Sequence, residues 1–333
     1  MPSSTTNAFG TIEWRAWLSR LGNKITWLIL AAVLALGAWG GYHCCKDPDL
    51  VWTAIHLEAA PHRPEAHLLK INRHTHILID SGHPQSAESL LHFLKAAGVT
   101  RLNALIISHS HRDHYGGLLA LLDAGITVDA LYFNPAPPFL VQREPANCAQ
   151  AEIEAIQKAA QERRIPLINM TTNTQWVFKN GITLKVLYVY DGLRTPVGHT
   201  AINDTSAILL LTHHKIRMLF PGDLTQRLGA YITRQQSALS IQADLLKVPS
   251  AEGLPEQAFF EAVQPQALVV VAPAELWLSA PYQRLREMAA IPTYVTGQQG
   301  HIKIKSDGYK LKISAPRLKK AATRLKQRAG AGR

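Results

Sequence analysis

Between Ser108 and Gly117 the chain reads Ser-His-Ser-His-Arg-Asp-His-Tyr-Gly-Gly, which places three histidines and an aspartate within six residues. Directly before it stands Ala104-Leu105-Ile106-Ile107, an apolar run, β-branched at its end, that reads as a buried strand. Directly after it, Gly116-Gly117 and then Leu118 to Leu122 read as a tight turn into a helix. The ligand-type side chains therefore fall in a loop at the C-terminal edge of a strand. There His109 and His111 can face the same way, and the bend of the chain turns Asp113 and His114 toward a second position. Neutral imidazoles with a carboxylate suit zinc or a similar divalent ion. A histidine-rich surface loop is the bland alternative in a chain with 15 His, but ligand type, spacing and the strand-loop-helix context agree on a metal site.

His109-x-His111-x-Asp113-His114 followed by Gly116-Gly117 resembles the signature of the metallo-β-lactamase fold superfamily. Ile77-Leu78-Ile79-Asp80-Ser81-Gly82 is similar to that superfamily's first motif, an apolar strand ending in Asp-x-Gly. Met218 to Asp223 is similar to its later strand-Gly-Asp motif, and the likeness extends over most of residues 51 to 314. Within the superfamily the chain looks most like the extracytoplasmic hydrolase domain of the ComEC-type DNA-uptake channel proteins of natural competence. The residues that carry this likeness are Ile202 to Ser206 before the strand Ala207 to Leu211, Ala243 to Val248, and Phe260 to Pro265 before Ala267 to Val271.

The resemblance implies an α/β (α+β) chain folded as a four-layer αβ/βα sandwich. It also implies a ligand set: His109 and His111, joined by His199, around a first ion; Asp113 and His114 around a second; and Asp223 bridging the two. Asp80 would accept an imidazole N–H and so fix the ring nitrogen that faces the metal. Asp113 and Asp80 are thus the candidate catalytic residues, and one or two zinc ions, or manganese, the candidate cofactor. Two ions about 3.5–4 Å apart share a hydroxide and hold the attacking and leaving oxygens of a phosphodiester. Three segments depart from the ComEC-type pattern. Pro249-Ser250-Ala251-Glu252-Gly253 stands where Gly-His-His-Gly-Ser is expected, so the late histidine is gone. Trp277 to Pro281 replaces a further histidine-containing stretch, and Ala59 to Pro64 replaces an early Gly-Gln-Gly-Asp turn. A weakened second ion follows, with Glu252 as a candidate substitute ligand. A degenerate binding module without catalysis and a small-molecule metallohydrolase stay open as alternatives.

Ile25 to Tyr42 reads ITWLILAAVLALGAWGGY, without a charge and apolar around the whole helical circumference. It is just long enough to cross a hydrocarbon layer of roughly 30 Å, and Trp27, Trp39 and Tyr42 lie near its ends. A cleaved signal peptide would have a shorter apolar core, about 7–15 residues, and a small-x-small cleavage site. Arg15, Arg20 and Lys24 precede the run, whereas Lys46 is balanced by Asp47 and Asp49, so the N-terminus is expected in the cytoplasm and the globular domain outside, anchored in the inner membrane. The expected organisation is a tail 1–24, a transmembrane helix 25–42, a linker 43–50, the sandwich 51–314 and a basic tail 315–333. At 333 residues and 47% hydrophobic the chain supports one sizeable core. Cys44, Cys45 and Cys148 provide no disulfide framework and no structural zinc knuckle.

Residues 301–333 hold eleven Lys or Arg and one acid, so nearly all of the formal charge of +11 belongs to this end. Lys303, Lys305, Lys310 and Lys312 fall on an expected hairpin turning at Asp307-Gly308, where they would attract nucleic-acid phosphates or anionic lipid headgroups. An unspecific solvated tail is the alternative. From Val51 onward strands and helices alternate. Strands are expected near Ala66–Ile71, Thr75–Asp80 and Ala130–Phe133, and helices near Ala87–Ala97 and Gln150–Arg164. A proline-rich loop, Pro135 to Ala149, is placed to roof the site, and His213-His214 are expected as turn residues at a hairpin tip.

Overall fold

The computed structural model of the protein describes residues 49–59, 62–190, 201–235, 239–249, 254–287 and 291–316. The expected membrane span at 25–42, His199, Glu252 and residues 317–333 of the basic tail lie outside the described residues. Among the described residues no helix is long and apolar enough to cross a membrane.

The strands in chain order are β1 (Leu50–Ala54), β2 (His67–Ile71), β3 (Thr75–Ile79), β4 (Arg101–Leu102), β5 (Ala104–Ile107), β6 (Thr127–Val128), β7 (Leu131–Phe133) and β8 (Leu167–Ile168). They continue as β9 (Gln175–Val177), β10 (Ile182–Tyr188), β11 (Ile208–His213), β12 (Ile216–Phe220), β13 (Leu245–Lys247), β14 (Ala267–Val270), β15 (Thr293–Val295), β16 (Ile302–Ser306) and β17 (Leu311–Ser314). The helices used below are α1 (Ala87–Ala96), α2 (Arg112–Tyr115), α3 (Leu118–Asp123), α4 (Pro138–Val141), α5 (Gln150–Glu162), α6 (Gln226–Arg234) and α7 (Gln257–Val263). One large sheet runs β17-β16-β1-β2-β3-β5-β7-β8, a second runs β15-β14-β13-β12-β11-β10-β9, and β4 and β6 form a separate two-stranded pair.

Side-chain alternation explains why these apolar runs become the inner layers of a sandwich. On β5, Ala104 and Ile106 face the other sheet while Leu105 and Ile107 face the helices. On β12, Met218 and Phe220 enter the inter-sheet core and Leu219 turns outward under α6 and α7. Strands covered on both faces lose the polar alternation of half-exposed ones, which is why they read as continuous apolar stretches. Each such Leu or Ile stabilises the fold by about 1.5–3 kcal/mol relative to an exposed one. The result is a mixed α/β, sheet-rich sandwich with helices on both outer faces, as the αβ/βα expectation requires.

Two details differ from the sequence expectation. His213 is not a turn residue: it ends β11, is buried, and its Nδ1 lies 3.0 Å from Ser306 Oγ; only His214, with φ +50°, belongs to the turn. Lys310 lies in the turn just before β17 rather than on the strand, where the Asp307 carboxylate accepts from the backbone amides of Tyr309 and Lys310.

Candidate metal centre

Parallel pairing sets the first two pieces of the site side by side. β3 and β5 align Ile79 with Ile106, so Asp80 leaves one strand beside the residue where Ser108 leaves the other. Asp80 takes φ +60°, a left-handed conformation that a short polar side chain tolerates and that collects at functional positions. This turn aims its carboxylate across the strand end: Oδ1 accepts from the Ser108 amide at 2.7 Å and Oδ2 from the Ser108 hydroxyl at 2.9 Å. Gly117 follows the motif because the chain passes so close to the Asp80 segment that a Cβ there would lie 2.1 Å from the Ser81 carbonyl oxygen.

Each histidine of the motif has one ring nitrogen engaged by a partner outside the nest. His114 Nδ1 donates to Asp80 Oδ2 at 2.9 Å, His109 Nδ1 lies 3.0 Å from Ser108 Oγ, and His111 Nε2 donates to Glu144 Oε2 at 2.8 Å. The lone pairs left over, His114 Nε2, His109 Nε2 and His111 Nδ1, are turned inward. His109 Nε2 and His111 Nδ1 are 3.2 Å apart, a spacing at which two lone pairs repel unless a proton or a cation lies between them. His114 Nε2 is buried with no hydrogen-bond partner. Asp223, delivered by the turn after β12, places Oδ2 3.4 Å from it. Gly222 makes that turn with φ +57°, where a Cβ would meet Ser206 Cβ at 2.7 Å. His109, His114 and Asp223 bring one ligand atom each within 4.8 Å of one another, all buried.

The electrostatics favour a cation in this nest. Burial, then the neighbouring His114 and His111, hold His109 well below the ordinary imidazole range, so its lone pair is available. For His114 burial opposes charge, but Asp223 and Asp80 outweigh it and raise its affinity for a proton well above normal. A proton and a divalent ion would therefore compete for the same Nε2, and binding of an ion there would release the proton. Asp113 stands at the mouth, its Oδ1 3.9 Å from His114 Nε2, with its carboxyl raised chiefly by burial. The donor set, two imidazoles and a carboxylate around an orphaned nitrogen, fits zinc or another borderline divalent ion.

Behind Asp223 lies a second buried assembly. Lys247, at the end of β13 and 0% exposed, places Nζ 3.2 Å from Asp223 Oδ1, 2.5 Å from Glu65 Oε2 and 3.0 Å from the Gly222 carbonyl oxygen. All three ammonium protons are thereby used. Glu65 Oε1 in turn lies 3.0 Å from His67 Nε2, and Trp52 Nε1 donates to His67 Nδ1 at 3.3 Å. Burial resists ionisation of Asp223, but Lys247 and His114 outweigh it and hold the carboxyl well below its ordinary range.

The nest opens on a cavity of about 560 Å³ whose walls include Arg63, Arg112, Asp113, Glu144, Asn203 and Asp223. Arg112 is held in place by Glu152, which accepts from its Nε at 2.9 Å and Nη2 at 2.8 Å. Lys303, Lys305 and Lys312 are exposed on β16 and β17, at the far end of the first sheet's strand order, and with Lys310 they do not line this cavity. His109, His111, Asp113, His114, Asp80 and Asp223 thus gather in one place, whereas the lysines form a separate surface. Sequence reasoning passed over Glu65, Glu144 and Lys247. A lysine closing the apolar run Leu245-Leu246 was a legible sign of a buried charge; Glu65 and Glu144 carry no local signal.

Residues 65–142, which contain Asp80 and the whole His-Asp-His run, match the family model of the metallo-β-lactamase superfamily. The fold is metallo-β-lactamase-like. Among solved structures of this fold, CmlA, a diiron β-hydroxylase from Streptomyces venezuelae, is similar at 12% identity with a TM-score of 0.50, over 78% of this chain and 55% of CmlA. The chain thus spans about half the length of that protein. Zn(2+)-bound PqqB from Methylobacterium extorquens is similar at 13% identity and a TM-score of 0.45, over 73% of this chain and 97% of PqqB. A diphosphatase of the PhnP family is similar at 11% identity and a TM-score of 0.40, over 73% of this chain and 94% of the other. No curated protein matches the chain in sequence.

The metallo-β-lactamase-like site makes a first prediction. In an Asp80→Asn variant the carboxamide has only one acceptor oxygen for the Ser108 amide, the Ser108 hydroxyl and His114 Nδ1, so His114 loses the partner that fixes its tautomer. Zinc affinity, measured by competition with a chromophoric chelator, is expected to fall by about 10- to 100-fold. Unchanged affinity would show that Asp80 has no part in presenting His114.

Proposed function

We propose that this protein is a metal-dependent hydrolase of the metallo-β-lactamase fold that acts on a phosphodiester, with a nucleic acid as the favoured substrate. In this reading residues 25–42 anchor it in the inner membrane and the catalytic domain lies outside the cytoplasm. The observation that carries the hydrolase reading is the buried His114 Nε2, without a hydrogen-bond partner, beside His109 and Asp223 at the floor of a polar cavity. When bound there, a divalent ion lowers the pKa of a water molecule toward neutrality and neutralises charge on a phosphoryl oxygen. Asp113, at the boundary between nest and cavity, accepts a hydrogen bond from the attacking water and so orients it. Arg63 and Asn203, on the cavity wall, bind the phosphate oxygens; Arg112, already clamped by Glu152, fixes the shape of the wall. The ComEC-type likeness and the cationic hairpin support a polymeric anion as substrate.

The test is incubation of the full-length protein, in detergent, with single- and double-stranded DNA and zinc or manganese, beside the Asp113→Ala variant. Wild-type cleavage that the variant loses is expected; equal cleavage by both removes the nuclease reading. If Lys303, Lys305, Lys310 and Lys312 contact phosphates, DNA affinity falls about a hundredfold between 50 and 200 mM salt, and replacing all four by Ala flattens that dependence. Turnover of small phosphodiesters without salt-sensitive DNA binding would instead make this a small-molecule hydrolase. Absence of any metal-dependent turnover would leave a binding module.

A further inference from the structure

Glu144 sits in the loop between α4 and α5, on the proline-rich segment that covers the motif. Its two carboxylate oxygens serve two different parts of the molecule. Oε2 accepts from His111 Nε2 at 2.8 Å, and Oε1 accepts from the Ile202 amide at 2.9 Å. Ile202 opens the turn that ends at Ser206, whose hydroxyl accepts from the Asp223 amide at 3.1 Å. One side chain therefore spans a histidine that follows β5 in the first sheet and the turn that steadies Asp223 after β12 in the second. The loop is pinned to the motif again where the Arg112 amide donates to the Asn147 carbonyl at 2.9 Å, at the start of α2.

We infer that Glu144 is a positioning residue that fixes His111 with Nδ1 facing the metal centre, and that through it metal occupancy and closure of the 142–149 loop are linked. The inference rests on the metal-binding reading above and adds to it a loop that responds to the ion. The physical argument is one of alternatives. Without an acceptor at Nε2, the His111 ring has two tautomers and is free to turn about χ2, and only one arrangement offers Nδ1 toward His109. An acceptor on a surface loop selects that arrangement only while the loop is closed. By reciprocity, an ion that requires the same arrangement favours the closed loop by the same factor. Asp80 performs the same orienting task for His114 from a strand end, whereas Glu144 performs it from a loop.

The test uses the full-length protein, its Glu144→Ala and Glu144→Gln variants, and zinc as the probe. Gln retains the shape but has a single acceptor oxygen for two donors. Zinc affinity is expected to fall about 10- to 100-fold in both variants. In hydrogen-exchange measurements, zinc is expected to slow exchange at Ile202 and across 142–148 in the wild type and to leave these amides unchanged in the variants at zinc saturation. Exchange in β5 and β12 within the same samples reports whether each variant is folded; should Ala disturb them, Gln carries the test. Variants that bind zinc like the wild type, or that keep the zinc-dependent protection, overturn the inference while leaving the metal-centre reading intact. A wild-type protein that takes up no zinc overturns both.

Discussion

His114→Ala is expected to remove the metal and with it any metal-dependent turnover. His114 is the convergence point of the centre: Nδ1 is committed to Asp80, and Nε2 lies 3.4 Å from Asp223 and 3.9 Å from Asp113. Its deletion removes a ligand atom and leaves Asp80 and Asp223 facing each other across a vacated space with no group between them. Metal stabilisation of a hydrolytic transition state is worth several kcal/mol, so a loss of about 4 kcal/mol corresponds to roughly a thousandfold in rate. Metal content after dialysis, together with hydrolysis of bis(4-nitrophenyl) phosphate, measures both effects. His92→Ala, at an exposed position on α1, is the control for nonspecific loss of histidine and should keep both properties. A His114→Ala protein that retains its ion and its rate would show that His114 is not a ligand and that the three-residue cluster is not the centre.

How much of this centre can be read in the chain follows from how local each contribution is. The His109 to His114 run and the Asp80 turn each sit directly after an apolar strand of the first sheet, and the Asp223 turn directly after one of the second, and these strand ends meet where the two sheets pack. Spacing along the chain therefore already implies proximity in space. β5, β3 and β12 are legible for a related reason: covered on both faces, they become unbroken apolar runs. Glu144 is different, because it reaches His111 only after the 138–149 loop folds back over the motif, and nothing in Arg143-Glu144-Pro145 distinguishes it from a solvated acid. His213 misleads in the other direction. Polar and next to His214, it reads as a turn, but β11 runs two residues beyond Leu211, and His213 Nδ1 meets Ser306 Oγ of β16 inside the sandwich. Glu65 stands just before β2 of one sheet and Lys247 ends β13 of the other, so their partnership exists only once the sheets pack.

That partnership makes Lys247→Met the substitution with the largest expected effect on stability. Met fills most of the volume of the lysine stem but removes the ammonium that pairs with both Glu65 and Asp223, both of them buried. Breaking a buried ion pair by deleting one partner costs about 3–5 kcal/mol, which for a domain of this size lowers the melting temperature by on the order of 10 °C. The pH dependence separates this cause from a packing defect. In the wild type, burial raises the carboxyls, but Lys247 heads the effects that outweigh it, so Glu65 and Asp223 are held below their ordinary values. Groups depressed in this way contribute stability that is complete above the ordinary carboxylate range and is lost as the pH falls through their folded values. In the variant that compensation is gone and burial dominates; the folded carboxyls then bind protons more readily than the unfolded ones, and acid relieves the penalty. The gap between wild-type and variant stability, measured by denaturant unfolding in chelator so that no ion contributes, is therefore expected to be widest near pH 7 and to narrow toward about pH 4.5. Adding Glu65→Gln to Lys247→Met should recover part of the loss at pH 7, because it removes one of the two buried negative charges that Lys247 balanced. A gap that stays constant across this range, with no recovery in the double variant, would mean that Lys247 acts through its bulk and that Asp223 owes its charge to its neighbours in the metal nest.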